Sequence, residues 1–290
     1  DMDIDRFSYG IVMAEKNGGA PTNVTIGSAT DQPTIRLAYS TNNNAGGHVK
    51  STKPTNPKVP EEVYEQGNSV YYYSLDTAST GKSYANVTMD GDYNTAYYTK
   101  GAIDNYGTID LRSKYDVDNQ NNDSLGFGNV GIFSSNTNVA STNYGTITTG
   151  MSDTINMRYS AAMAAGRNIY RDENGTAVFD RTKEEGNIEN HGTIVVKEKE
   201  GIGMFASGSG SKAINNGTIE LSGKNTKGMY VDNNAVGENW GTIQTAASGL
   251  TKVKGVYVAN GGYIKNYGTI NIAASDSKSA GIWTDNADHA

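Results

Sequence analysis

The sequence has no cysteine. That removes disulfides, thiolate zinc sites and cysteine nucleophiles together, and it rules out a small domain stapled by disulfides. Histidine is nearly as scarce, with His48, His191 and His289 only. None stands beside a serine or carboxylate at a suggestive spacing, so no triad is read from them. The alternating run Ser207-Gly208-Ser209-Gly210-Ser211 reads as a flexible turn and not as a nucleophile loop. No Lys/Arg stripe exists, and a net charge of −7 with a pI near 5.0 argues against a nucleic-acid partner. No apolar run approaches the ~18 residues of a membrane helix. The opening Asp1-Met2-Asp3-Ile4-Asp5 carries no signal segment and reads as an internal start. Proline, at 5 of 290 residues, is too rare for a Pro-rich linker chain.

What is abundant is glycine, at 35 residues, together with Asn, Thr, Ser and 19 Tyr. These are turn and strand formers. They are arranged in a repeat. Asn-x-Gly-Thr-Ile begins at Asn105, Asn143, Asn190, Asn215, Asn239 and Asn266. The last four copies follow one another at 25, 24 and 27 residues, which sets the period; the earlier spacings of 38 and 47 read as a single coil with an insertion or as a double coil. A second phrase alternates with it: Gly201-Ile202-Gly203-Met204-Phe205, Gly228-Met229-Tyr230-Val231, Gly255-Val256-Tyr257-Val258 and Gly281-Ile282-Trp283. Gly10–Ala14, Gly131–Phe133 and a degenerate Ala162-Met163-Ala164 fit the same slot.

After the first phrase the residues alternate, as in Ile109-Asp110-Leu111, Ile219-Glu220-Leu221 and Ile270-Asn271-Ile272. Alternation of this kind marks a strand with one buried face. Two or three inward residues are too few for a strand to fold alone. Stacked copies solve that by pairing each coil with the next. The expected fold is all-β: a right-handed parallel β-helix over 1–290, its hand following the crossover rule, with ten to twelve coils. Residues 101–290 hold the regular coils and 1–100 a less regular part. In each phrase Ile should enter the core and Thr face outward. Gly should serve a φ > 0 or a close approach. The Asn should take left-handed geometry and form a ladder of amides from coil to coil.

The drifting second letter lies two residues before Thr and should face outward as well. Its column reads Tyr106, Tyr144, His191, Asn216, Trp240, Tyr267, and at ~4.8 Å per coil its rings are placed to stack. Such rings, with flat faces and polar edges, suit sugars or a protein partner; the preferred reading is that they seal a corner of the coil. Tyr71-Tyr72-Tyr73 and Tyr97-Tyr98 are expected as further exposed aromatics. Insertions in a solenoid map to surface loops. Three stand out: the Pro/Asn-rich stretch 42–66, the stretch 114–123, and the stretch 151–185. In the last, Asn174-Gly175 between β-like runs predicts a hairpin that carries Tyr170, Arg171 and Asp172. Asp116 opens a calcium-loop-like run, but Asn121 and Phe127 stand where Gly and Glu are needed, so no metal site is assigned. No cofactor is assigned either.

Asn-x-Gly-Thr-Ile alternating with Gly-(Ile/Met/Val)-(Tyr/Trp/Phe), clear over about 100–290, resembles the passenger repeats of the large fusobacterial type V autotransporter adhesins. The resemblance implies a virulence-associated, surface-exposed adhesin segment. It implies coaggregation or host-cell attachment, with a protein or glycan receptor on the other cell. It also implies outer-membrane anchoring through a C-terminal barrel that this sequence does not include. The segment itself is expected to be a monomeric, non-catalytic rod. The rival readings are a β-helical polysaccharide lyase or hydrolase, for which the acidic and basic mix at Arg167–Arg181 is the nearest candidate cluster, and a passive spacer.

Overall fold

The computed structural model describes residues 1–4, 8–14, 21–37, 69–90, 93–112, 128–152, 159–166, 170–171, 177–178, 185–273 and 276–285. Three parallel sheets run the length of the chain, and each coil contributes one strand to each in turn. The first sheet has nine strands, from Met2–Ile4 to Thr269–Asn271; the second has nine, from Tyr9–Met13 to Ala280–Asp285; the third has eight, from Asn23–Ile26 to Tyr263–Asn266. Strands equivalent in successive coils pair in register, so Ile109, Ile147, Ile194, Ile219 and Ile243 follow one another up the first sheet. The fold is a parallel β-helix, as the repeat predicts.

Among the described residues the expected ten to twelve coils are nine. The difference lies in the connections. Most coils pass from first to second sheet in a few residues, as from Leu221 to Lys227, but the steps from Leu37 to Val70, Leu111 to Val130 and Thr148 to Ala161 are longer. The rod of nine coils is ~40 Å long at ~4.8 Å per coil. All three long steps leave from the same corner. The stretches expected as loops at 42–66 and 114–123 lie outside the described residues. The expected hairpin is present as backbone: Tyr170–Arg171 pairs antiparallel with Ala177–Val178, in the step from second to third sheet.

The core is one continuous column. The five phrase isoleucines named above are at most 1% exposed, and Val87, Met89, Leu111, Val196 and Leu221 continue the same face. The phrase threonines lie on the outer face as expected, Thr108 being exposed. Ala162 occupies the slot filled by Gly131 and Gly203 in the neighbouring coils, so the degenerate copy is a true one.

The phrase glycine has a single task. Its φ is not positive at any of the six copies, nor is that of the phrase asparagines; the left-handed residues are others, including Asn225, Asn233, Asn234 and Asn260 in the turns. The asparagines therefore do not take the geometry expected of them. Gly is required because each copy crosses directly over the last: a Cβ on Gly217 would fall well inside contact of the Gly192 carbonyl oxygen, and one on Gly241 would meet the Gly217 oxygen in the same way. Backbone on both sides is held by paired strands and cannot withdraw. Gly217→Ala is expected to cost about 3 kcal/mol or more, against about 0.5 kcal/mol or less for the outward Thr218→Ala beside it. Urea unfolding of the two variants measures the difference.

Candidate functional site

The corner between third and first sheet is built from the repeated phrase. Asn ends a strand of the third sheet, x and Gly turn the corner, and Thr-Ile opens the next strand of the first. Asn105, Asn143, Asn190, Asn215 and Asn239 are fully buried. Each passes one amide N–H to the carboxamide oxygen of the next: Asn105 to Asn143 at 2.8 Å, then 2.9, 2.9 and 2.8 Å up to Asn239, and 2.7 Å on to Asn266. The amide of Asn215 also reaches the Gly217 carbonyl at 3.3 Å, two residues on. The Asn main-chain carbonyl takes two more bonds from the coil above, as Asn215 does from the N–H groups of Trp240 and Gly241 at 2.8 and 2.9 Å. This ladder, foreseen from the repeat, fixes where every x side chain must leave the rod.

The x side chains do leave it, and they stack. Tyr106 and Tyr144 have ring centroids 4.9 Å apart at 9°, Tyr144 and His191 5.2 Å apart at 20°, and Trp240 and Tyr267 4.0 Å apart at 22°. Tyr84 extends the column downward, 5.0 Å from Tyr106 at 18°. Sequence reading misses Tyr84 because its phrase, Ser83-Tyr84-Ala85-Asn86-Val87, keeps only the drifting letter. Tyr144, Trp240 and Tyr267 are 44%, 52% and 59% exposed.

A line of polar groups from the third sheet accompanies the column. Glu189 Oε1 accepts from His191 Nε2 at 2.8 Å and from Asn216 Nδ2 at 2.5 Å. Glu238 Oε2 accepts from Trp240 Nε1 at 3.3 Å, while its Oε1 pairs with Lys212 at 3.1 Å and Lys265 at 3.3 Å. Partial burial opposes ionisation of Glu238, but hydrogen bonds from Lys212, Trp240 and Lys265 prevail and hold its carboxyl below the usual range. Burial and then the charge of Asp104 push the Tyr144 phenol up.

The other predicted aromatics are not brought to this corner. Tyr71 and Tyr72 are 1% and 0% exposed, and Tyr97 is fully buried too. The expectation of exposure fails for all three. In the second sheet the strand register skips one position, the slot of Gly228 and Gly255. That position and the next both face inward, so Tyr71 and Tyr72 enter the core together. Tyr97 donates to or accepts from Ser83 at 2.8 Å inside it. Tyr73 alone of the three lies on the outer face. There, next to Tyr9 at 5.2 Å, it stands in a second aromatic column with Tyr98 and Phe133, at 5.0 and 4.9 Å; Ala164 interrupts that column, and Phe205, Tyr230, Tyr257 and Trp283 resume it. Alternation in Met229-Tyr230-Val231, inward on both sides of the tyrosine, is the signal that finds this column. Tyr170 and Arg171 sit in the short hairpin, and Asp172 lies outside the described residues.

Residues 121–239 match the family model described as BigA third pectate lyase-like domain. The match supports a bacterial surface protein with a pectate-lyase-like β-helix, and it carries no assignment of catalysis. No curated protein and no solved structure matches the chain.

Proposed function

We propose that this chain is a non-catalytic attachment segment of a bacterial surface protein of the autotransporter-adhesin type. It is a rod whose corner column and long first-to-second-sheet connections touch a receptor on another cell. One observation carries the reading. Asn216 stands in the aromatic column, yet its coil is paired and laddered like the rest, with Asn190, Asn215 and Asn239 in register. The corner therefore folds without a ring, and the exposed rings at Tyr144, Trp240 and Tyr267 are surplus to what the fold requires. Exposed aromatics with polar edges are the side chains that dominate binding when a partner covers them.

The test is adhesion of the purified protein to host and bacterial cells, with Trp240 and Tyr267 both changed to Ser. Interface aromatics of this kind contribute about 2 kcal/mol or more each. Binding is therefore expected to fall at least tenfold while strand content and unfolding midpoint change little. A protein that adheres to no cell is a passive spacer. A double variant that melts without a specific loss of adhesion makes the column a structural seal.

A further inference from the structure

The column is interrupted at one place, and the interruption is built. Tyr84, Tyr106, Tyr144 and His191 form one stack and Trp240 and Tyr267 another, with Asn216 between them. Inside each stack the rings cover one another's faces. At the interruption the terminal rings are His191 below and Trp240 above, each with no stacked ring on that side among the described residues. Asn190, Asn215 and Asn239 are in strict register, so these rings leave the rod at equivalent points two coils apart. Asn216 has no ring for the position between them, and its amide is held to Glu189 Oε1 at 2.5 Å, the oxygen that His191 Nε2 also meets.

We propose that this interruption is a binding site for one pyranose residue of a glycan, held between His191 and Trp240. The proposal rests on the attachment reading above and names its ligand class. Spacing favours a saturated ring. The steps of the column are close to one coil, 4.9 and 5.2 Å, so the missing step leaves about 10 Å between ring centroids at ~4.8 Å per coil. Van der Waals contact at 3.5–4.0 Å on each face lets a flat ring span about 7–8 Å of that; a puckered ring with axial hydrogens takes up the rest. The polar rim favours hydroxyl groups. Glu189 and Glu238 stand beside the two rings as acceptors, and Lys212, paired with Glu238 at 3.1 Å, adds a donor. A ring of C–H faces edged by hydroxyls meets both requirements.

The protein is applied to a panel of immobilised bacterial and mammalian oligosaccharides. The methyl pyranoside of the best-bound terminal sugar is then titrated into the Trp283→Phe variant, whose only tryptophan is Trp240. The expected result is binding on the panel and a saturable change in Trp240 fluorescence. Asn216→Tyr, which completes the column, should lower panel binding at least tenfold and raise the thermal midpoint by a few degrees. Trp240→Ala should lose binding without that rise. Panel binding undiminished in both variants overturns the site while leaving glycan attachment elsewhere. Panel silence with adhesion to cells retained after glycosidase treatment overturns the sugar and leaves the attachment reading standing. In that case, loss of adhesion in Asn216→Tyr assigns the gap to an aromatic side chain of a protein partner. Silence on the panel and on cells overturns both.

Discussion

Asn215→Ala is expected to lower the unfolding free energy by about 3–5 kcal/mol, while Asn216→Ala, one residue away, should change it by about 0.5 kcal/mol or less. The two asparagines differ in what their amides meet. Asn215 receives from Asn190 at 2.9 Å, gives to Asn239 at 2.8 Å and gives its other N–H to Gly217 at 3.3 Å. Truncation strands one donor on Asn190 and one acceptor on Asn239 in a fully buried corner, at about 1–3 kcal/mol each. It also opens a cavity between coils that cannot close, because their spacing is set by the backbone ladder. Asn216 is exposed and gives its amide to an accessible carboxylate, where water substitutes. Asn215→Asp sharpens the point, since it preserves size and acceptor but removes both donors. It is expected to be at least as damaging as Ala at neutral pH, because an Asp carboxylate would face the Asn239 oxygen. Chemical unfolding of the four proteins decides it. Equal effects at 215 and 216 would mean that the ladder contributes nothing the solvent cannot replace.

The same corner shows why so much of the rod is legible from sequence. A primary amide is the one short side chain with an acceptor for the coil below and two donors, for the coil above and for its own turn. Gly is the one residue that can cross the carbonyl of the copy before it, having no Cβ to meet that oxygen. Both demands recur in every coil, so both letters recur, and Ile and Thr are held by the two faces of the strand that follows. The letter between is held by neither, and it drifts. What sequence reading misses lies where a coil departs from its neighbours. Three tyrosines in a row at 71–73 look like surface, but the second sheet bends at the position before Tyr72 and turns two consecutive residues inward. Tyr71 thereby occupies the slot that other coils give to Gly or Ala, and the first coils are wide enough to hold Tyr71, Tyr72 and Tyr97 against one another. The number of coils is overestimated because 32 residues separate Leu37 from Val70, where five separate Leu221 from Lys227. The interruption at Asn216 is visible in the sequence as a missing ring. That its amide is tied to Glu189 is visible only in three dimensions.

Raising the pH should first strengthen this fold and then destroy it. Lys227 is 9% exposed, with its amine 5.7 Å over the Tyr257 ring. Burial, and next the charge of Lys254, lower its pKa from 10.5 to about 8. Between pH 8 and 10.5 the unfolded chain keeps a proton that the folded chain has released, so stability rises with pH across that window, by about 3 kcal/mol at full extent. The phenols act in the opposite sense. Burial pushes Tyr71 up to about 12 and raises Tyr72, Tyr97, Tyr230 and Tyr257 as well. Unfolded, they ionise near pH 10; folded, they hold their protons. Stability is therefore lost above pH 10, about 3 kcal/mol by pH 12 from Tyr71 alone. The urea midpoint should climb from pH 8 to near 10 and collapse beyond it, with the phenolate absorbance of these five phenols appearing in one step together with loss of the strand signal. Lys227→Met should be more stable than the parent at pH 7 and show no climb. Tyr71→Phe should move the collapse to higher pH. Phenolate absorbance near pH 10 that Tyr71→Phe removes while the strands persist would show that solvent reaches this ring without opening a coil, and a closed core between the three sheets would then be wrong.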